Sequence, residues 1–222
     1  MIRRRLALCL GLCALVAACA GSSLAEDLKP GFHRLEWRPY RRGGPLPAEW
    51  RIDGDRISHT PGGGDIVSVE VYSSFELDFD WKIAPGGNSG VLYRVSEASG
   101  APFDSGPEYQ ILDNRGEING RNPLTAAASC YAVYAVTADA SKPAGEWNAA
   151  RIVVRGNHVE HWLNGVKVVD YELGSDDWKN RVGASKFTYM PLYGQMPWGH
   201  IDLQDHGAAV EYRHMAIERL PG

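Results

Sequence analysis

Cysteine is scarce and unevenly placed: the chain has four in 222 residues, at positions 9, 13, 19 and 130. Three fall within the first nineteen residues, so the remainder holds Cys130 alone and no intrachain disulfide can staple it. Stability must therefore come from a buried core, and the length suits one domain of ordinary size. Basic charge is short as well, with 23 Lys and Arg against 27 Asp and Glu and a net charge of −4. That balance argues against a nucleic-acid partner. Sustained helical periodicity is missing, and only residues 176–182 read as one short helical turn. There is no H-E-x-x-H, no G-x-S-x-G and no E-x-D-x-x-E strand. The glycine-rich loop Pro85-Gly86-Gly87-Asn88-Ser89-Gly90 lacks the lysine of a phosphate cradle.

What is present begins with a leader. Arg3, Arg4 and Arg5 precede an apolar stretch from Leu6 to Ala18 that is too short to cross a bilayer. Val16-Ala17-Ala18-Cys19 has the form of a lipobox, so a lipoprotein-type signal peptide is expected over 1–18, with Cys19 lipidated. Several acyl chains on one residue give stable anchoring. Ala20 after the cysteine favours the outer membrane, facing the periplasm, if the cell is Gram-negative. The expected organisation is signal peptide 1–18, polar tether 19–31 and one domain over 32–222. Loss of Arg3, Arg4 and Arg5 would take the net charge from −4 to −7.

Seven Trp, ten Tyr, 25 Gly and 13 Pro suggest a protein of strands and turns. Phe75-Glu76-Leu77-Asp78-Phe79-Asp80-Trp81 alternates with period two, which places its apolar residues on one sheet face. Gly156-Asn157 and Asn164-Gly165 are hairpin signals, predicting a three-stranded meander from Ala150 to Tyr171. Many short strands with regular turns predict an all-β sandwich or jelly roll.

Candidate functional residues are polar groups on strand faces. In Gly106-Pro107-Glu108-Tyr109-Gln110-Ile111-Leu112-Asp113, alternation puts Glu108 and Gln110 on one face. A carboxylate and an amide side by side can accept from and donate to sugar hydroxyls, although a solvated face has the same pattern. In His200-Ile201-Asp202-Leu203-Gln204-Asp205-His206, the residues His200, Asp202, Gln204 and His206 share a face. Two histidines and an acid there suit proton transfer or a metal, but the spacing matches no dedicated zinc motif. In Val159-Glu160-His161-Trp162-Leu163, His161 and Leu163 lie on one face and Glu160 and Trp162 on the other. Cys130 sits in an apolar run and reads as a buried, inert thiol.

Five segments, in order, resemble the 3-keto-disaccharide hydrolase family over roughly residues 32–220. They are Asn88-Ser89-Gly90 with Arg94; Gly106 to Asp113; Lys142-Pro143-Ala144-Gly145-Glu146-Trp147-Asn148; His161-Trp162-Leu163-Asn164-Gly165; and Leu203-Gln204-Asp205-His206-Gly207 with Tyr212-Arg213. His214 departs from the family's usual Asn. The segment Ala126 to Ala135 matches loosely apart from Tyr134. The resemblance implies a concanavalin-like jelly roll of two antiparallel sheets, with a ligand groove on the concave one. It also implies cleavage of the glycosidic bond of a sugar already oxidised at C3, and a functional link to the oxidoreductase that makes the ketone. A C3 ketone acidifies the proton at C2, so a base can start an elimination that expels the glycosidic oxygen, and water then adds back. Glu108 and His206 are the candidate acid–base residues. Asn88, Arg94, Gln110, Tyr134, His161 and Gln204 are the candidate substrate contacts. A divalent metal could substitute for some of these, and the cofactor requirement stays open. The rival readings are a non-catalytic carbohydrate-binding lipoprotein, a glycosidase acting on unoxidised sugar, and an envelope scaffold.

Overall fold

The computed structural model describes residues 28–221. The leader 1–18, Cys19 and the tether as far as residue 27 lie outside the described residues. Thirteen strands follow: β1 (His33–Arg34), β2 (Trp37–Pro39), β3 (Trp50–Asp53), β4 (Arg56–His59), β5 (Ile66–Ser68), β6 (Phe75–Ile83), β7 (Asn88–Val95), β8 (Glu108–Leu112), β9 (Asn148–Arg155), β10 (His158–Leu163), β11 (Val166–Glu172), β12 (His200–Leu203) and β13 (Val210–Arg219). The α-helix α1 (Asp176–Gly183) interrupts them once. A large antiparallel sheet runs β11-β10-β9-β6-β13-β4-β3, with β1 beside β13. A small one runs β2-β5-β12-β7-β8. The fold is thus an all-β jelly-roll sandwich.

The period-two reading of β6 holds along the whole strand. Phe75, Leu77, Phe79, Trp81 and Ile83 are buried, and the residues between them are half-buried on the outer face. They meet Val91, Tyr93, Tyr109, Ile111, Ile201 and Leu203 of the small sheet in one core. The meander forms as β9-β10-β11. Its second turn has positive φ at both Asn164 (49°) and Gly165 (82°), the backbone that matches strand twist in a two-residue hairpin. The short helix has a mechanism too: the Ser175 side chain accepts from the Trp178 backbone N–H at 3.1 Å, and Asp176 and Asp177 occupy the first turn. Trp178 then stacks between Tyr171 and Tyr193, with centroids 5.4 and 5.7 Å apart.

Cys130 is buried and free among the described residues, and burial pushes its thiol up to about 12. Its inertness follows from that burial.

Candidate functional site

Strand register builds a polar hollow on the outer face of the small sheet. Ser89, Val91, Tyr109, Ile111, Ile201 and Leu203 point into the sandwich, so Asn88, Gly90, Leu92, Glu108, Gln110, Asp202 and Gln204 point out of it. One cross-strand row reads Glu108, Leu92, Asp202, Val67, and the next reads Gln110, Gly90, Gln204. Asp65, just before β5, lies across from Gln204, and its carboxylate accepts from the Asp205 backbone N–H at 2.7 Å.

Gly90 explains how the two rows converge. A Cβ there would sit 2.6 Å from Glu108 Oε1, so the Glu108 carboxyl leans from β8 over β7 into the space a side chain would fill. It therefore lies between Gln110 and Gln204. The loop after β8 clamps the strand from its free edge. The Ala128 and Tyr131 N–H groups donate to the Gln110 and Glu108 carbonyls, and the Gln110 N–H donates to the Ser129 carbonyl.

The oxygens of this hollow lack partners. Asn88 Oδ1, Gln110 Oε1, Gln204 Oε1 and both carboxyl oxygens of Asp202 are buried without a hydrogen bond. Gln110 is 1 % exposed, Gln204 8 %, Glu108 6 % and Asp202 wholly buried, so the hollow is nearly closed. Buried oxygens without partners cost stability until something with hydroxyls or positive charge enters. Sugar hydroxyls supply such donors. The same hard oxygens match the preference of Mg²⁺ or Ca²⁺.

Electrostatics sorts the acids. Burial raises Glu108 to about 8, with Lys186 pulling the other way and Asp65 adding to the rise. Burial also lifts Asp65, to about 6, opposed by the Asp205 backbone hydrogen bond. Asp202 rises well above the carboxylate range, again through burial, helped by Asp65 and Glu108. His206 is exposed on the turn after β12, close enough to Asp65 for its charge to be felt there.

Of the residues expected at the site, Glu108, Gln110 and Gln204 converge, Asn88 shares their face, and His206 stands at the mouth. Three others are placed elsewhere. Arg94 lies in a bulge, with Tyr93 and Arg94 opposite Ile201, and its φ of +54° turns it to the sandwich edge. Its guanidinium donates to the Ser73 carbonyl at 2.8 Å and to the Gly156 carbonyl. His161 is in the core: Nδ1 donates to the Ala128 carbonyl at 2.9 Å, so Nε2 accepts from Tyr93 O–H at 2.9 Å. Burial lowers it to about 4, which keeps it neutral. Tyr134 donates to Asp177 at 2.7 Å and stacks on Tyr171. Sequence reasoning missed Asp65, which belongs to no motif. It placed Asp202 on the right face but gave it no role.

Two other features compete and differ in kind. A concavity of about 550 Å³ on the outer face of the large sheet is lined by Asp78, Asp80, Arg151 and Trp162. Its carboxylates are already engaged, Asp78 by Arg151 at 2.6 Å and Asp80 by Arg213 at 2.9 Å. Among the described residues, His158, Glu160 and Asp170 form a cluster with metal-ligand spacing. There Lys167 bridges the two acids, as in a surface ion-pair network. Neither leaves polar atoms unpaired as the hollow does.

Known proteins resemble the chain over most of its length. A sequence model described as the 3-keto-alpha-glucoside-1,2-lyase-like domain matches residues 26–218. The chain is 31% identical over 216 residues to a 3-keto-disaccharide hydrolase of Bacteroides thetaiotaomicron, covering 83% of this chain and 74% of that protein. The crystal structure of a candidate glycosyl hydrolase of Parabacteroides distasonis superposes with a TM-score of 0.76 at 35% identity, over 83% of this chain and 88% of that one. A carbohydrate-binding module of Bacillus subtilis shares the fold alone, at TM-score 0.51 and 14% identity, over 83% and 96% of the two chains.

Proposed function

Since the chain belongs to the 3-keto-alpha-glucoside-1,2-lyase-like family, we propose that it cleaves the glycosidic bond of 3-keto-glycosides by elimination across C1 and C2 followed by hydration. The carrying observation is the set of unpaired buried oxygens of Asn88, Gln110, Gln204 and Asp202 around a Glu108 carboxyl raised to about 8. The free hydroxyls of the oxidised ring donate to the three amide oxygens. His206, at the mouth, takes the proton from C2, and the electron pair becomes an enolate whose oxygen sits on C3. A carboxyl kept neutral by burial can donate a hydrogen bond to such an oxyanion, and burial pushes Asp202 toward that state. As the C1–O bond breaks, the pair forms the C1–C2 double bond. The leaving oxygen takes the proton of Glu108, which is protonated at neutral pH. Water then adds to C1 and gives its proton to Glu108, while His206 returns a proton to C2. The net change is hydrolysis, and both residues regain their starting state.

In this reading the exported domain is held at the cell envelope through Cys19, and its substrate comes from an oxidoreductase acting at sugar C3. The test uses the 3-keto form of trehalose in D₂O. Product hydrolysed by this route carries deuterium at C2. Glu108→Gln, which keeps the shape but cannot release a proton, should lose about 10²–10⁴ in kcat, the usual contribution of a general acid. Product without deuterium at C2, or full turnover by the Gln variant, would overturn the mechanism.

A further inference from the structure

We infer that the small pocket beside Trp198 is the subsite for the second sugar ring, the one that leaves. The inference rests on the reaction proposed above and names where its leaving group is held.

The pocket has a volume of about 150 Å³ and is lined by Val95, Ser96, Glu97, Met196, Pro197, Trp198 and His200. Trp198 is 58% exposed, an unusual state for the largest apolar side chain. Its backbone is nonetheless fixed. The next residue, Gly199, exchanges hydrogen bonds with Tyr72, N–H to carbonyl at 2.8 and 3.1 Å. A Cβ on Gly199 would lie 2.3 Å from the Arg94 carbonyl carbon, so only glycine lets this segment lie against the β7 bulge. The Arg94 guanidinium, bonded to Ser73 and Gly156, holds that bulge in place. An exposed indole on a rigid support is an aromatic platform preorganised for a ligand face.

The polar groups beside it are fixed too. Glu97 takes both arms of Arg38, at 2.7 and 2.8 Å, which with the Arg41 backbone N–H holds its carboxyl down at about 2. His200 Nδ1 donates to the Ser68 carbonyl at 2.7 Å, and its Nε2 accepts from Arg38 at 3.3 Å. Glu97 and Arg38 cancel each other's charge, so the pocket suits a neutral group. An indole face next to planar, locked acceptors matches a pyranose ring, whose C–H face stacks while its hydroxyls donate sideways. A fatty chain would leave the remaining lone pair of Glu97 Oε2 without a donor.

The pocket and the hollow share strand β12. His200 and Asp202 lie on β12 and Gln204 just follows it, on the outer face of the small sheet, with His200 next to the pocket and Gln204 in the hollow. Four residues of strand span about 13 Å, the scale of two linked rings.

The test compares two substrates, the 3-keto form of trehalose and methyl 3-keto-α-glucoside, in wild type and Trp198→Ala. The disaccharide should show a KM raised about tenfold, which is 1.4 kcal/mol of lost contact. The methyl glycoside, with no second ring, should keep its KM within about twofold, and Trp198→Phe should recover most of the disaccharide affinity. Equal KM changes for both substrates, or none for either, would overturn the subsite while leaving the reaction standing. If the wild-type protein turns over neither substrate, the reaction fails and the subsite with it.

Discussion

Glu108 combines a titratable group with almost no access to water, and its cost depends on pH. Its carboxyl is raised to about 8 in the folded protein and reverts to an ordinary value near 4.5 when unfolded. Between those values the folded state binds the extra proton, so stability is greatest near and below pH 4.5 and falls as pH climbs towards 8. Asp65, raised to about 6, acts in the same direction over a narrower window, and Asp202, lifted well above the carboxylate range by burial, acts with them. Thermal melts of the wild-type domain should therefore give a lower Tm at pH 8 than at pH 5, and Glu108→Gln should remove its share of that slope, leaving the part due to Asp65 and Asp202. A variant as pH-dependent as wild type would show that Glu108 does not carry the penalty. Alternation alone put Glu108 beside Gln110, and Asp202 beside Gln204. It could not show Gly90 between the two pairs, nor Asp65 across from Gln204, because those neighbours are set by register between distant strands. His161 illustrates the opposite limit. Its face was legible, shared with Leu163, but only the packed sandwich shows that this face is the core.

Among the elements, the β7 bulge had the least signal in the sequence. Arg94 read as a strand residue facing the ligand, and nothing in Val95 or Tyr93 announces a positive φ. The bulge arises because two β7 residues oppose one on β12, which turns the arginine to the sandwich edge. There the guanidinium ties β7 to the carbonyls of Ser73, before β6, and Gly156, in the β9–β10 turn. Arg94→Met keeps much of the stem but leaves those carbonyls without their donor. It should lower stability by about 1–3 kcal/mol, read by urea unfolding, while the KM for methyl 3-keto-α-glucoside stays near wild type. A large rise in that KM with normal stability would return Arg94 to the ligand. The β9–β10–β11 meander was legible in full, since its two turns are written in Gly156-Asn157 and Asn164-Gly165. The short helix was legible only as one turn over 176–182; its start at Ser175, capped by that side chain, came from the structure.

For the molecule as a whole, the scarcity of cysteine leaves a core closed by packing alone. Cys130 lies inside that core with its thiol pushed up to about 12. Reductant should leave the Tm of the domain from residue 28 onward unchanged. A maleimide probe at pH 7.5 should label it only under denaturing conditions, as read by mass spectrometry. Labelling of the folded protein would mean that the two sheets part far more readily than this packing allows.

The sandwich also has a sidedness. The segment from Leu28 to Phe32 arrives along the outer surface of the large sheet, where Lys29 pairs with Asp78. The polar hollow lies on the far side, beyond the full thickness of the core. A label or linker joined at Leu28 therefore starts from the large-sheet side, across the core from the acids and amides of the small sheet.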